Sequence, residues 1–348
     1  MNYFGINELF LKDIELQVKS ESIPWEKMRC ANIFISGATG IIGYAIILLL
    51  LKADELFGLD LRITALTRNP QKARQLFSCL DDCVFDSKVY WLQGDVLSFP
   101  NVVDTDYVIN GAAMTSSSDF INKPVETILT AFKSTEETLN KYGERAKGYV
   151  YLSSMEVYGY PIKGHKVVEN DIGTFAPIIM RNSYPISKLA CENLCLSYAH
   201  EYNKSINVVR LTQTIGPVIK HDDNRFFAYI GNCIRNSEEI VLHTEGKTER
   251  SYLYSVDAAS AIITVLLNGK VGEVYNAADE KLYCSIYEFA KKVAEKNNIG
   301  FRIEAGLNYD NNRGYADTLY MDLDTSRLKR LGWKPIGLKL EDIYDRIL

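Results

Sequence analysis

Residues 32–51 read NIFISGATGIIGYAIILLLL, and this stretch decides the fold. Ile33, Phe34 and Ile35 form a β-branched and aromatic run that reads as a buried strand. A glycine turn follows, then an apolar helix. Gly37, Gly40 and Gly43 stand in the spacing G-x-x-G-x-x-G. Each glycine has a physical use. One lets the chain turn sharply, and one lets backbone N–H groups come close to a pyrophosphate. The third lets the helix pack on the strand, so that its positive N-terminal end faces the anion. Three glycines alone mark a weak pattern, but their place between a strand and a long apolar helix sharpens it. The plain alternative is an ordinary strand–turn–helix connection.

The rest of the chain bounds the possibilities. Its 348 residues can bury a large core, and 47% are hydrophobic, as in an ordinary globular protein. The net charge of -5 carries no nucleic-acid footprint. The longest apolar run, in residues 41–51, is too short to span a bilayer, so no membrane role is expected. The N-terminus is polar and unlike a secretory signal. Seven cysteines, with no C-x-x-C pair, point to reduced thiols and a cytoplasmic setting. Cys191 and Cys195 share a helix face with only His200 nearby, so core packing is expected there and no metal site.

Outward from the glycine turn, strands and helices alternate. Residues 6–19 predict an amphipathic helix with Ile6, Leu9, Phe10, Ile14 and Val18 on one face, packed outside the first lobe. Strands are predicted at 62–66, 90–92, 107–109 and 149–152, and helices at 72–80, 125–142 and 187–202. Such alternation implies a doubly wound α/β fold around a parallel sheet. The pattern loosens beyond Gly216, which implies a smaller C-terminal lobe. The expected organisation is an N-terminal extension (1–29), a dinucleotide-binding Rossmann-like domain (30–216, with 252–280 returning to it), and a substrate lobe (217–251 and 281–348). Arg68 follows the second strand where a carboxylate would otherwise meet the adenosine ribose, which leans toward NADP over NAD. Asp95, with Val96, sits past the third strand, placed to meet adenine or simply to close a turn.

The chemistry-bearing pattern is Ser154 followed by Tyr184-Pro185-Ile186-Ser187-Lys188. A tyrosine and a lysine four apart on a helix project from one face. An ammonium beside a phenol lowers the phenol's pKa from about 10. The phenolate can then take a hydroxyl proton while the same carbon is oxidised by NAD(P)+, with Ser154 holding the oxygen. Pro185 disfavours helical angles in the residue before it, so Tyr184 is expected at the helix N-terminus.

Together these motifs resemble the extended short-chain dehydrogenase/reductases, the nucleotide-sugar epimerase/dehydratase family, over residues 30 to about 335. GATGIIG resembles the family's cofactor loop, which implies cofactor contacts from Gly37, Thr39, Gly40, Ile41, Ile42 and Gly43. By the same likeness Arg68, Asp95, Val96, Ala112, Ala113 and Lys188 meet the dinucleotide. YLSSMEVYG (151–159) resembles the segment with the catalytic Ser/Thr, here Ser154. RLTQTIGP (210–217) and GKTERSYLYSVDAASAI (246–262) resemble segments that hold the sugar diphosphate. That implies substrate roles for Gln213, Arg250 and Arg313, with Met114 and Thr115 lining the sugar pocket.

The resemblance implies oxidation at C4 of a nucleotide-activated hexose or hexuronic acid, and a homodimer formed through the helices at 125–142 and 187–202. Family dehydratases carry Asp-Glu after the catalytic Ser/Thr; this chain has Met155-Glu156. A thioether cannot protonate a leaving hydroxyl, so Glu156 stays a candidate base or rim ion pair. The reading leans to decarboxylation or 4-epimerisation. A net NADPH-dependent reductase and a non-catalytic cofactor-sensing scaffold are the alternatives. The chain departs from the family in Asn110-Gly111 before Ala112-Ala113, in Thr130-Ala131, and around Gln213-Thr214.

Overall fold

Seven parallel strands build the main sheet of the computed structural model, which describes residues 7–78, 80, 82–100, 104–219, 223, 225–304 and 318–348. They are β1 (Asn32–Ser36), β2 (Arg62–Thr67), β3 (Val89–Gln93), β4 (Tyr107–Asn110), β5 (Gly148–Ser154), β6 (Ile206–Leu211) and β7 (Val274–Ala277). Their spatial order is β7-β6-β5-β4-β1-β2-β3. The order reverses between β1 and β4, and in such sheets ligands bind outside the carboxyl ends of the strands at that reversal. Helices cover both faces, so β4 and β6 are buried along their whole length.

The helices that matter are α1 (Glu8–Val18), α2 (Ile41–Phe57), α3 (Pro124–Tyr142), α4 (Ser183–Tyr202) and α5 (Ser255–Asn268). Asn7 caps α1 by accepting the N–H groups of Leu9 and Phe10. The helix then buries Phe10, Ile14 and Val18, and it packs on α2 and α5. α2 is apolar nearly all round because it lies between the sheet and α1. α3 and α4 pack side by side on the other face, where Cys191 and Cys195 are buried in the core.

A second, five-stranded sheet is made by Lys166–Val167, Gln213–Ile215, Glu249–Tyr254, Asp279–Ser285 and Tyr320–Leu323. Glu249–Tyr254 is its hub. The first half of this strand pairs with Tyr320–Leu323, its second half with Gln213–Ile215, and its other edge with Asp279–Ser285. Two of the five strands, at 166–167 and 213–215, come from the 30–216 span, so this sheet is stitched directly to the first lobe.

Candidate active site

The glycine turn explains itself by distance. Gly37 has φ +77°, and a Cβ there would lie 2.7 Å from the Gly111 carbonyl carbon. A Cβ on Gly43 would come within 2.3 Å of the Gly37 oxygen, so the helix packs on the turn only without a side chain. Gly40 differs. It is exposed, and a Cβ there would meet only the Gly37 oxygen, at 3.4 Å. The fold around residue 40 leaves room for a side chain. Gly40 is also the N-cap of α2, with no side chain on the free N–H groups and no acidic residue in the first turn. An open helix end of this kind suits a pyrophosphate. Thr39, Ile41 and Ile42 are half-buried beside it.

The strand ends nearby are cross-linked. Ser36 donates its hydroxyl to Asn110 Oδ1 at 2.8 Å and accepts the N–H groups of Gly111 and Ala112 at 3.1 and 3.3 Å. Asn110 Nδ2 donates to the Tyr149 hydroxyl at 2.8 Å. Asn110, a departure from the family pattern, thus ties β1, β4 and β5 together. Ala113 and Met114 are half-buried and Thr115 is exposed; the Thr127 hydroxyl donates to the Lys123 carbonyl at 3.0 Å, with the Met114 sulfur 3.8 Å away. Arg68 is exposed just past β2. Asp95 closes a turn by accepting the Leu97 N–H at 3.0 Å, and Val96 packs against the core.

Ser154, Tyr184 and Lys188 come together at the carboxyl end of β5. Ser154 ends that strand, and Tyr184 is the second residue of α4, at its N-terminus as Pro185 requires. Ser154 lies beside the Tyr184 phenol, and its Oγ accepts the Glu156 N–H at 3.2 Å. Lys188 is buried; its ammonium donates to the Leu152 carbonyl at 2.7 Å and lies 5.9 Å from the Tyr184 ring centroid. Burial pulls this amine down to about 8. The phenol behaves otherwise than its sequence suggests. Burial and then the Glu156 charge push Tyr184 above its ordinary range, against the opposing pull of Ser154 and Arg181.

Glu156 lies on the turn Met155–Tyr158 that follows β5. Both its oxygens are held by Arg181, at 2.8 and 3.0 Å. Met155 turns away into the core, where the Thr212 hydroxyl meets its sulfur at 3.1 Å. The position after Ser154 is therefore core packing here. Gln213 and Arg250 sit on paired strands of the second sheet, and both are half-buried. Arg250 Nε is buried with no hydrogen-bond partner among the described residues, which suits a guanidinium meant for an anion. Arg313 lies outside the described residues.

Sequence reading missed Arg181, Phe120 and the support beneath β5. Phe120 stacks on Tyr184, with centroids 4.3 Å apart and rings inclined by 7°. Beneath, Arg210 forks onto Glu192 at 3.0 and 2.6 Å, and Ser153 donates its hydroxyl to the same carboxylate. Only Glu192 left a local trace, four residues after Lys188.

Comparison with known proteins bears on the family and the fold. The family model described as "NAD dependent epimerase/dehydratase family" matches residues 33–278. The chain is 26% identical to human dTDP-D-glucose 4,6-dehydratase over 194 residues, 55% of this chain and 53% of that one. It therefore spans about half the length of that relative. UDP-glucuronic acid decarboxylase 4 of Arabidopsis thaliana is 25% identical over 257 residues, 71% of this chain and 56% of that one. Among solved structures, UDP-N-acetylglucosamine 4-epimerase from Methanobrevibacter ruminantium M1 shares the fold with a TM-score of 0.73. Its identity is 19%, over 92% of this chain and 96% of the other. By the model match, which takes in more than half of its length, the chain belongs to the NAD dependent epimerase/dehydratase family.

Proposed function

We propose that this chain acts on a nucleotide-activated hexose or hexuronic acid through a 4-keto intermediate, with NAD(P) recycled in each turnover. The convergence of Ser154, Tyr184 and Lys188 at the sheet edge that also carries the glycine turn supports this reading most strongly. When bound, the dinucleotide supplies a reversible two-electron acceptor for the carbon that bears O4. The chain's residues do the remaining work. The open end of α2 and Gly40 hold the pyrophosphate, and Arg250 and Gln213 hold the substrate diphosphate. Ser154 hydrogen-bonds O4, Tyr184 takes the proton from O4 and later returns it, and Lys188 places positive charge beneath the phenol. Glu156 serves as a base or a polar holder next to the reacting carbons.

Met155 favours 4-epimerisation or decarboxylation over loss of water, because its buried thioether offers no proton to a leaving hydroxyl. Mass spectrometry on the pure protein with UDP- and dTDP-linked glucose and with UDP-glucuronic acid distinguishes the reactions. An unchanged mass with altered stereochemistry, or loss of carbon dioxide, fits the proposal. Loss of water would overturn the role given to Met155, and stoichiometric consumption of added NADPH would replace a recycled cofactor with net reduction.

Three finer points belong to the same proposal. Exposed Arg68, with no carboxylate at the tip of β2, favours NADP, so NADP is expected to bind more tightly than NAD in calorimetric titration. A homodimer through α3 and α4 is supported by the apolar Val125, Ile128, Leu129 and Phe132 exposed on α3. A reducing cytoplasm fits the free thiols of Cys30, Cys191, Cys195, Cys233 and Cys284.

A further inference from the structure

Arg181 stands where three contacts around Tyr184 meet. Its terminal nitrogens fork onto the two oxygens of Glu156. Its guanidinium carbon lies 5.1 Å from the centroid of the Phe120 ring. Phe120 in turn stacks on Tyr184. The backbone that carries these groups is pinned as well. The Ser183 hydroxyl donates to the Phe120 carbonyl at 3.0 Å, and Asn182 Nδ2 donates to the Ala176 carbonyl at 2.9 Å. Arg181 Nε is buried with no hydrogen-bond partner among the described residues, so fork and ring alone orient the guanidinium.

We propose that Arg181 is the positioning residue of this site: by clamping Glu156 with its edge and covering Phe120 with its face, it fixes the Tyr184 ring against Ser154. The proposal rests on the reading of Tyr184 as the proton acceptor at O4. Only a planar fork can grip both carboxylate oxygens and lie over an aromatic face at once, which an ammonium cannot do. Electrostatics gives the clamp a second effect. The titratable groups around the phenol are Glu156 on the turn after β5, Arg181 ahead of α4, Lys188 one turn along α4, and Tyr151 on β5. Glu156 opposes loss of the phenolic proton and Arg181 opposes Glu156. Without Arg181, Glu156 faces the phenol unpaired.

The test places a trifluorotyrosine, whose phenol is intrinsically more acidic, at position 184 of the full-length protein and follows its fluorine resonance against pH without substrate. Arg181→Met is expected to move the midpoint upward by about one pH unit. Glu156→Gln on top of Arg181→Met should bring it back to the wild-type value or below, and Arg181→Lys should fall between. A purely structural arginine would leave the Arg181→Met midpoint at the wild-type value, and that result overturns the proposal. Should Arg181→Met fail to fold by circular dichroism, Glu156→Gln alone decides. A downward shift supports the clamp, and no shift overturns it. Wild-type protein that turns over no nucleotide sugar would sink the functional reading instead, and the fluorine titration would still judge Arg181.

Discussion

Lys188 shows how a single side chain sets stability against function. In an unfolded chain its amine has the ordinary value of 10.5, while burial in the fold pulls it to about 8. The unfolded state thus binds the proton more tightly. Below about pH 8 the full penalty is present, and stability rises as pH climbs from 8 toward 10.5. Lys188→Met should therefore raise stability at pH 7 by about 3 kcal/mol, with the gain gone near pH 10.5, while turnover is lost. Thermal melts at the two pH values check this, and a variant less stable than wild type at pH 7 would contradict it. Tyr184→Phe keeps the stack on Phe120 but removes the phenol. It should cost about 10²- to 10⁴-fold in turnover while dinucleotide affinity stays within about twofold of wild type, read by calorimetry.

The elements divide by what fixes them. β1, the glycine turn and α2 were legible because their signal is local: spacing of three and four, a β-branched run, an apolar helix. Tyr184 and Lys188 were legible for the same reason. The Glu156–Arg181 fork was not, because the residues stand 25 apart and meet only after α4 docks against β5. Nor does a β-branched run tell which strands cross to a second sheet, as 213–215 does. The three glycines, equal in the sequence, are unequal in the fold, and substitution separates them. Gly43→Ala forces a methyl against the Gly37 backbone and should cost about 1–3 kcal/mol. Gly40→Ala meets no such neighbour. It should melt within about 1 kcal/mol of wild type yet bind dinucleotide about tenfold more weakly or worse. Parallel melting and calorimetric titrations distinguish the two. Equal loss of stability in both would mean that Gly40 serves the fold and not the ligand.

Across the whole molecule, Asp257 joins parts that are far apart in sequence. Its Oδ1 accepts Gln17 Nε2 of α1 at 2.7 Å and the Ile336 N–H at 2.8 Å. Burial raises this carboxyl from 3.8 to about 7. The native state then holds a proton that the unfolded chain has released, so stability falls as pH rises from about 4 to 7 and stays reduced above. Asp257→Asn keeps the acceptor oxygen without the charge. It should match wild type near pH 4 and exceed it by about 4 kcal/mol at pH 8, measured by denaturant unfolding. A destabilised variant at pH 8 would mean that the charge itself is useful there.

The strand Glu249–Tyr254 has one more implication. Three strands hold it, and residues from both sheets share a continuous interior that includes Ile33, Tyr252, Phe289 and Trp333. A protein joined this way does not open like a clamshell to admit a large anionic guest. If the proposed function holds, entry and exit fall to the loops at the rim, and swapping rim segments is the way to retune how fast the protein cycles.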